Sequence, residues 1–220
     1  MSLCDGCDLN VLEMIKHIWF DFAGTLYRET SEFLDVHKQY RYKTYAEVAG
    51  LFDMNVAKSE YDKLYEQHGS NSAVFKHLGK PDNYWQKAVD SLDRTAFFPP
   101  DKDVIETLDT LHKAVPISIY TNFLRSKIIE MCNHLEIPLN YFTHILSGDD
   151  VSARKPQLDG FYKMIELSEL SPNEIVYVGD REAVDIVPAK VVGMQACMLY
   201  GNSKSADYVF DSFKDLLSIV

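Results

Sequence analysis

Short apolar runs alternate with helical patterns along most of this chain. Apolar and β-branched runs predict strands at 15–20, 117–120, 141–146, 174–178, 195–199 and 208–210. Amphipathic spacing predicts helices at 104–113, 126–135, 158–167, 183–192 and 212–219. Strands that alternate with helices of this length form a parallel sheet with right-handed crossovers. The pattern therefore predicts an α/β fold with a doubly wound, Rossmann-like parallel sheet.

The stretch from Ser31 to about Leu92 follows a different pattern. Apolar residues recur there at helical spacing, and strand-like alternation does not interrupt them. Helices are predicted over 31–49, 56–65, 73–78 and 83–92. Gly50 is the predicted stop of the first helix, and Asn55 is a candidate N-cap of the second.

These two patterns divide the chain into a core and an insertion. Residues 31–96 are predicted to form an all-helical unit inserted into an α/β core made of 14–30 and 97–220. Because Met14 leads straight into the first strand, residues 1–13 are predicted to be an N-terminal extension outside the fold.

Composition narrows the class of protein. Of the 220 residues, 46% are hydrophobic, with 12 Phe and 13 Tyr, which is enough for a sizeable core. The net charge of −11 argues against nucleic acid or an anionic membrane as the main partner, because both require a basic surface. Since no apolar run reaches membrane-spanning length and no signal-like segment opens the chain, we expect a cytoplasmic protein.

The 4 cysteines form two unrelated groups. Cys132 and Cys197 stand among apolar residues and are predicted to be buried thiols of the core. Cys4 and Cys7 form a CxxC pattern, but a second ligand pair at zinc-site spacing is missing. We therefore expect a leader that carries two thiols rather than a zinc site.

Polar side chains follow three of the predicted strands. Asp21 ends the first strand, Thr121 and Asn122 follow the second, and Asp180 with Asp185 follows the strand at 174–178. In open α/β sheets ligands bind at the carboxyl ends of the strands. The doubly wound arrangement is therefore expected to bring these side chains to one edge of the sheet.

Each of these residue types has a chemical use at such an edge. A carboxylate can attack phosphorus and form an aspartyl-phosphate, while a Thr hydroxyl can hold oxygens of the transferred group. Lys155, at the entrance to the helix before the Asp180 strand, could supply positive charge for a phosphate. Paired carboxylates suit Mg²⁺, which would also offset the repulsion between Asp21 and Asp180. Taken singly, each residue could equally be a helix cap or a surface lysine; their combination in this order favours a site.

From Met14 to the C-terminus the chain resembles the haloacid dehalogenase (HAD) superfamily. Segments similar to its four motifs are, in chain order, Asp21-Phe22-Ala23-Gly24-Thr25-Leu26, Thr121, Lys155-Pro156, and Gly179-Asp180 with Asp185. The helical insertion resembles the mobile cap that covers the site in this superfamily and selects substrates. The resemblance thus implies an α/β hydrolase with a cap.

The resemblance also implies roles for the matching residues. Asp21 would be the nucleophile, Lys155 would bind phosphate and the nucleophile, and Thr121 would hold a phosphate oxygen with Asn122 beside it in the substrate site. Asp185 would assist the metal or orient Lys155. The implied Mg²⁺ ligands are Asp21, the backbone carbonyl of Ala23, Asp180 and Asp185.

Ala23 departs from the superfamily pattern, in which a second aspartate commonly stands at this position. Alanine can still offer its carbonyl to a metal, but it cannot protonate a leaving group or deprotonate water. General acid–base help is typically worth about 10²–10⁴-fold in rate. The proton donor and acceptor of this chain must therefore be sought elsewhere.

Four interpretations fit Ala23. The preferred one is a Mg²⁺-dependent hydrolase of a small phosphorylated molecule, with a good leaving group or a proton from another source. A second resembles phosphonoacetaldehyde hydrolase, which shares Asp-x-Ala-Gly-Thr and uses a cap lysine as a Schiff base, although it tends to carry arginine where this chain has Lys155. The predicted cap offers Lys38, Lys43, Lys58, Lys63, Lys76, Lys80 and Lys87.

The remaining two interpretations depart further from a phosphatase. One resembles the 2-haloacid dehalogenases, which lack the second aspartate and need no metal; the intact pair of Asp180 and Asp185 argues against it. The other is a non-catalytic HAD-fold binding protein. The retained nucleophile, lysine and metal carboxylates make this last interpretation the less favoured one.

Overall fold

One parallel sheet organises the protein. The structure is a computed structural model that describes residues 14–220, so the predicted extension at 1–13 with its CxxC lies outside the described residues. The strands of the 6-stranded sheet are β1 (His17–Phe20), β2 (Ile117–Tyr120), β3 (Phe142–Leu146), β4 (Ile175–Gly179), β5 (Gln195–Leu199) and β6 (Tyr208–Phe210).

The strand order in the sheet is β3-β2-β1-β4-β5-β6, and every neighbouring pair is parallel. The chain moves outward from β1 through β2 to β3, then returns to the other side of β1 for β4, β5 and β6. The winding therefore reverses between β1 and β4, the place where open α/β sheets leave a crevice for ligands. This order confirms the predicted doubly wound parallel sheet.

Helices account for most of the remaining described chain. They are α1 (Ser31–Ala49), α2 (Met54–His68), α3 (Asn71–His77), α4 (Tyr84–Asp90), α5 (Lys102–Ala114), α6 (Arg125–His134), α7 (Asp159–Ser168) and α8 (Val187–Val191). Short 3₁₀ turns stand at Thr95–Phe97, Leu139–Tyr141 and Pro172–Glu174. Among the described residues, no helix is long and apolar enough to span a membrane.

Two predicted helices near the C-terminus differ in form. The segment predicted as one helix over 183–192 is a π-helical turn, Glu182–Ile186, followed by the short α8. Pro188 stands in the first turn of α8, where its missing N–H is tolerated. The closing segment, predicted as a helix over 212–219, is a 3₁₀ helix, Phe213–Ile219.

Both faces of the sheet are covered. Along β1, Ile18 and Phe20 belong to one hydrophobic cluster and Trp19 to the cluster on the opposite face. Because successive side chains of a strand point to opposite faces, a strand that is apolar at every position must be covered on both. Cys132 and Cys197 are free and buried in this core, as predicted, and burial raises the pKa of each thiol to about 12.

The region between β1 and β2 is helical, as predicted, and has a core of its own. This cluster is aromatic, with Tyr45, Tyr61, Phe75 and Trp85 among its buried members. Helix α1 ends at Gly50, whose φ of 70° is the left-handed conformation that favours glycine. The N-cap of α2 is Asp53 rather than Asn55, because the Asp53 carboxylate accepts the first free N–H groups of the helix. The bounds 31 and 96 of the insertion remain a prediction.

Candidate active site

Strands β1 and β4 deliver two carboxylates to the crevice where the winding reverses. Asp21 directly follows β1, and its backbone N–H donates to the Val178 carbonyl at 2.8 Å, so the residue stays tied to β4. Asp180 directly follows β4. Gly24 has a φ of +87°, and a Cβ at this position would overlap the Asp180 carboxylate. The turn after Asp21 can therefore approach Asp180 only with glycine here.

A fully buried ammonium connects these strands. The side chain of Lys155 is 0% exposed, and its Nζ donates to Asp21 Oδ1 at 2.5 Å, to Asp185 Oδ1 at 2.7 Å and to the Tyr177 hydroxyl at 2.7 Å. All three donors of the ammonium are thus used. Such a lysine is part of a built charge network and not a solvated surface group.

Asn122 holds the backbone of Lys155 in place. Its Oδ1 accepts from the Lys155 N–H at 2.9 Å, and its Nδ2 donates to the Lys155 carbonyl at 3.0 Å. The neighbouring Thr121 is 2% exposed, and its hydroxyl accepts from the Phe123 N–H at 3.4 Å. The structure therefore ties Asn122 directly to Lys155, and Thr121 precedes Asn122 in the same loop. Their contacts with a substrate remain predictions.

Asp185 is bound at both carboxylate oxygens. Oδ1 accepts from Lys155, and Oδ2 accepts from the Arg181 N–H at 3.2 Å. The π-helical turn, in which the Arg181 carbonyl accepts from three successive N–H groups, places Asp185 inward and fully buried. This arrangement favours the role of orienting Lys155 over that of a metal ligand.

The carboxylates present a donor set that fits a divalent cation. Ligand oxygens of Asp21, Asp180 and Asp185 all lie within 4.8 Å of one another. Asp21 Oδ2 and Asp180 Oδ1 are buried and have no hydrogen-bond partner. Burial and the neighbouring Asp21 charge raise the pKa of Asp180 to about 7. A cation would relieve this repulsion and satisfy both orphaned oxygens, and hard carboxylate donors suit Mg²⁺.

Two neighbours of the site were not anticipated from sequence. The Tyr177 hydroxyl accepts from Lys155 and donates to the Tyr120 carbonyl at 2.9 Å. The Arg181 Nε lies 3.6 Å from Asp180 Oδ1 and 3.6 Å from Asp185 Oδ2. Two features of the sequence could have pointed to them. Tyr177 is the one phenol in the otherwise aliphatic strand β4, and Arg181 directly follows Asp180.

An open cavity of about 230 Å³ borders the Asp180 carboxylate. Its wall is formed by Gly24, Arg28, Glu29, Leu34, Asp180, Leu199 and Tyr200. Leu34 comes from α1, so the helical region contributes to the wall. The Arg28 guanidinium stands 4.8 Å from the centre of the Tyr200 ring. A cavity of this size suits a small ligand.

Known proteins resemble this chain over most of its length. Residues 18–199 match the sequence profile of the haloacid dehalogenase-like hydrolases. The glyceraldehyde 3-phosphate phosphatase of Methanocaldococcus jannaschii is 29% identical, over 94% of this chain and 97% of that protein.

Solved structures share the fold. A HAD phosphatase from Thermococcus onnurineus is 24% identical, with a TM-score of 0.70 over 93% of this chain and 97% of the other. The putative HAD-hydrolase YfnB from Bacillus subtilis, which was solved bound to magnesium, is 14% identical, with a TM-score of 0.62 over 94% of this chain and 99% of the other. At these identities the likeness shows the architecture alone.

Proposed function

We propose that this protein is a Mg²⁺-dependent phosphatase of a small phosphorylated metabolite. The premise is that the chain belongs to the haloacid dehalogenase-like hydrolases and is a phosphatase-like hydrolase. The observation that carries the proposal is the buried Lys155 ammonium between Asp21 and Asp185, with an orphaned oxygen on Asp21 and another on Asp180. The relative from Methanocaldococcus jannaschii is a phosphatase of such a metabolite, and the cavity is small.

In this proposal Asp21 is the nucleophile. Because Lys155 holds Oδ1, Oδ2 is the oxygen left free of hydrogen bonds. Its attack on phosphorus would form an aspartyl-phosphate and break the bond to the leaving oxygen, and water would then release phosphate and restore the carboxylate. Lys155 would hold the attacking carboxylate and bind the phosphate, with Thr121 and Asn122 on the phosphate side.

Asp21, Asp180 and the backbone carbonyl of Ala23 would hold Mg²⁺, with Asp185 assisting by fixing Lys155. When bound, the metal supplies positive charge that stabilises the transferred phosphoryl group. The orphaned oxygens of Asp21 and Asp180 support this assignment, as does the raised pKa of Asp180.

The phosphonoacetaldehyde interpretation has less support. Its Schiff base needs a cap lysine that faces the site, and none of the residues on the cavity wall is a lysine. Lys76 is paired with Asp82 at 2.9 Å, and Lys80 stands beside the Tyr84 ring. The metal-free dehalogenase interpretation leaves the orphaned oxygen of Asp180 without a use.

A substrate panel tests the proposal. Hydrolysis of glyceraldehyde 3-phosphate, acetyl phosphate, p-nitrophenyl phosphate, phosphonoacetaldehyde and 2-chloropropionate is measured with Mg²⁺ and with EDTA. We expect turnover of the phosphate esters or of acetyl phosphate, lost in EDTA and lost in Asp21→Asn. Turnover of 2-chloropropionate in EDTA would contradict the proposal, as would equal activity of wild type and Asp21→Asn.

A further inference from the structure

We propose that Glu29, held by Arg94, supplies the proton donor and acceptor that Ala23 lacks. The inference rests on the proposed phosphatase function. It assigns a role in proton transfer to Glu29, which lies three positions after the first motif, Asp21–Leu26.

Four titratable side chains line the cavity wall. Its titratable members are Arg28, Glu29, Asp180 and Tyr200. Asp180 is engaged by the cation in the proposed function, and an arginine stays protonated in proteins. Burial raises the pKa of Tyr200 to about 12, although the nearby Arg28 lowers it. Glu29 is therefore the wall carboxylate that the proposed metal site leaves unused, and we assign the proton transfer to it.

The Glu29 carboxylate is anchored at one oxygen. Arg94 Nη1 lies 3.3 Å from Glu29 Oε1, and the side chains are 4% and 30% exposed respectively. The Arg94 guanidinium stands 4.5 Å from the centre of the Phe33 ring and 4.7 Å from that of Phe123. Phe123 follows Thr121 and Asn122, so this anchor ties Glu29 to the loop that carries them.

Apart from Asp21 and Asp180, the described carboxylates with a buried oxygen that lacks a hydrogen-bond partner are Glu182 and Asp90. Neither belongs to the cavity wall. Burial raises the pKa of Asp90, which faces the charges of Arg94, Lys127 and Arg154 rather than the site carboxylates. Glu29 thus differs from Asp90 and Glu182 because it lies on the cavity wall.

The proposed steps conserve atoms and charge. As Asp21 forms a bond to phosphorus, the leaving oxygen keeps the electron pair of the breaking P–O bond and takes the proton of the Glu29 carboxyl, giving an alcohol. Water then attacks the aspartyl-phosphate and gives its proton to the Glu29 carboxylate. The Asp21–phosphorus bond breaks, phosphate leaves, and Glu29 is protonated for the next cycle.

The test uses Glu29→Gln with two substrates of different leaving group. Nitrophenolate needs no acid, so p-nitrophenyl phosphate should give a burst of product, at close to the wild-type rate, followed by a steady state slowed about 10²–10⁴-fold because the base is missing. Glyceraldehyde 3-phosphate needs the acid, so its first step should itself slow by about 10²–10⁴-fold, without a burst.

A rescue and two controls separate catalysis from structure. Ala23→Asp added to Glu29→Gln should restore at least about tenfold of the lost activity. Glu32→Gln, which removes an exposed carboxylate at the start of α1, should behave as wild type. Asp90→Asn should show no burst.

Three results would overturn the inference: equal losses with both substrates that Ala23→Asp does not rescue, a burst in Asp90→Asn instead, or unchanged kinetics of Glu29→Gln. Asp21→Asn is assayed in parallel. If it abolishes activity while Glu29→Gln does not change it, the inference alone fails; if Asp21→Asn stays active, the proposed function fails.

Discussion

Two regions of the protein bury a cation: the sheet edge around Lys155, and the ion pair of Arg94 with Glu29 beside the helical region, called the junction below. They differ in how many partners the cation has. At the edge, Lys155 uses all three donors on Asp21, Asp185 and Tyr177. At the junction, Arg94 has one ion pair, two aromatic faces and a buried Nε without a partner. A saturated charge fixes its neighbours in one geometry, whereas Arg94 holds Glu29 through one oxygen only. We propose accordingly that the edge holds the nucleophile and that the junction serves it.

The largest expected effect is at Lys155. In Lys155→Met the Asp21 and Asp185 carboxylates lose their buried counter-charge, so we expect a loss of about 3–5 kcal/mol in the free energy of unfolding. Urea denaturation measures it. The control is Lys163→Met, whose partner Glu166 lies on the surface, and it should cost less than about 1 kcal/mol. Similar losses of stability in the two variants would contradict the claim that Lys155 stabilises two buried carboxylates.

A glycine pair gives the next contrast. Gly24 and Gly50 both have positive φ, but a Cβ at Gly50 would meet open space, whereas one at Gly24 would meet Asp180. Each substitution by alanine should cost about 1–2 kcal/mol from backbone strain. Only Gly24→Ala should also raise the Mg²⁺ concentration that gives half-maximal activity, by at least about tenfold, since it displaces the proposed ligand Asp180. An equal Mg²⁺ response in both variants would count against Asp180 as a ligand.

The smallest effect is expected at Arg94. Its partner Glu29 can reach water once the pair is broken, so Arg94→Met should cost only about 1 kcal/mol in urea denaturation. A loss as large as that of Lys155→Met would show that the junction is as rigid as the edge. The contrast drawn between the two regions would then be wrong.

The sequence predicted the edge well because its residues are fixed by local pattern. A buried strand that ends on a carboxylate places Asp21 and Asp180 at the sheet edge, and the order of winding brings them together. Turns of unusual width carry no such pattern, which is why the π-helical turn at Glu182–Ile186 was predicted as ordinary helix. The prediction of Asn55 instead of Asp53 as the N-cap of α2 is a boundary error of the same local kind.

Contacts between distant segments could not be predicted. Glu29 and Arg94 are 65 positions apart, with most of the helical insertion between them, and neither belongs to a motif. From the sequence Tyr177 is a buried strand residue like its neighbours; only the structure shows its hydroxyl bonded to Lys155. Sequence pattern thus predicts which strand ends carry chemistry, while the groups that tune it depend on packing between elements.

Rapid quenching tests whether the proposed aspartyl-phosphate forms on Asp21. Protein mixed with Mg²⁺ and p-nitrophenyl phosphate is quenched in acid within milliseconds, and its peptides are analysed by mass spectrometry. We expect a phosphoryl group on the peptide that contains Asp21 and its absence in Asp21→Asn, with a larger phosphorylated fraction in Glu29→Gln. Turnover of this substrate with no phosphoryl group on Asp21 in either the wild type or Glu29→Gln would contradict the proposed aspartyl-phosphate.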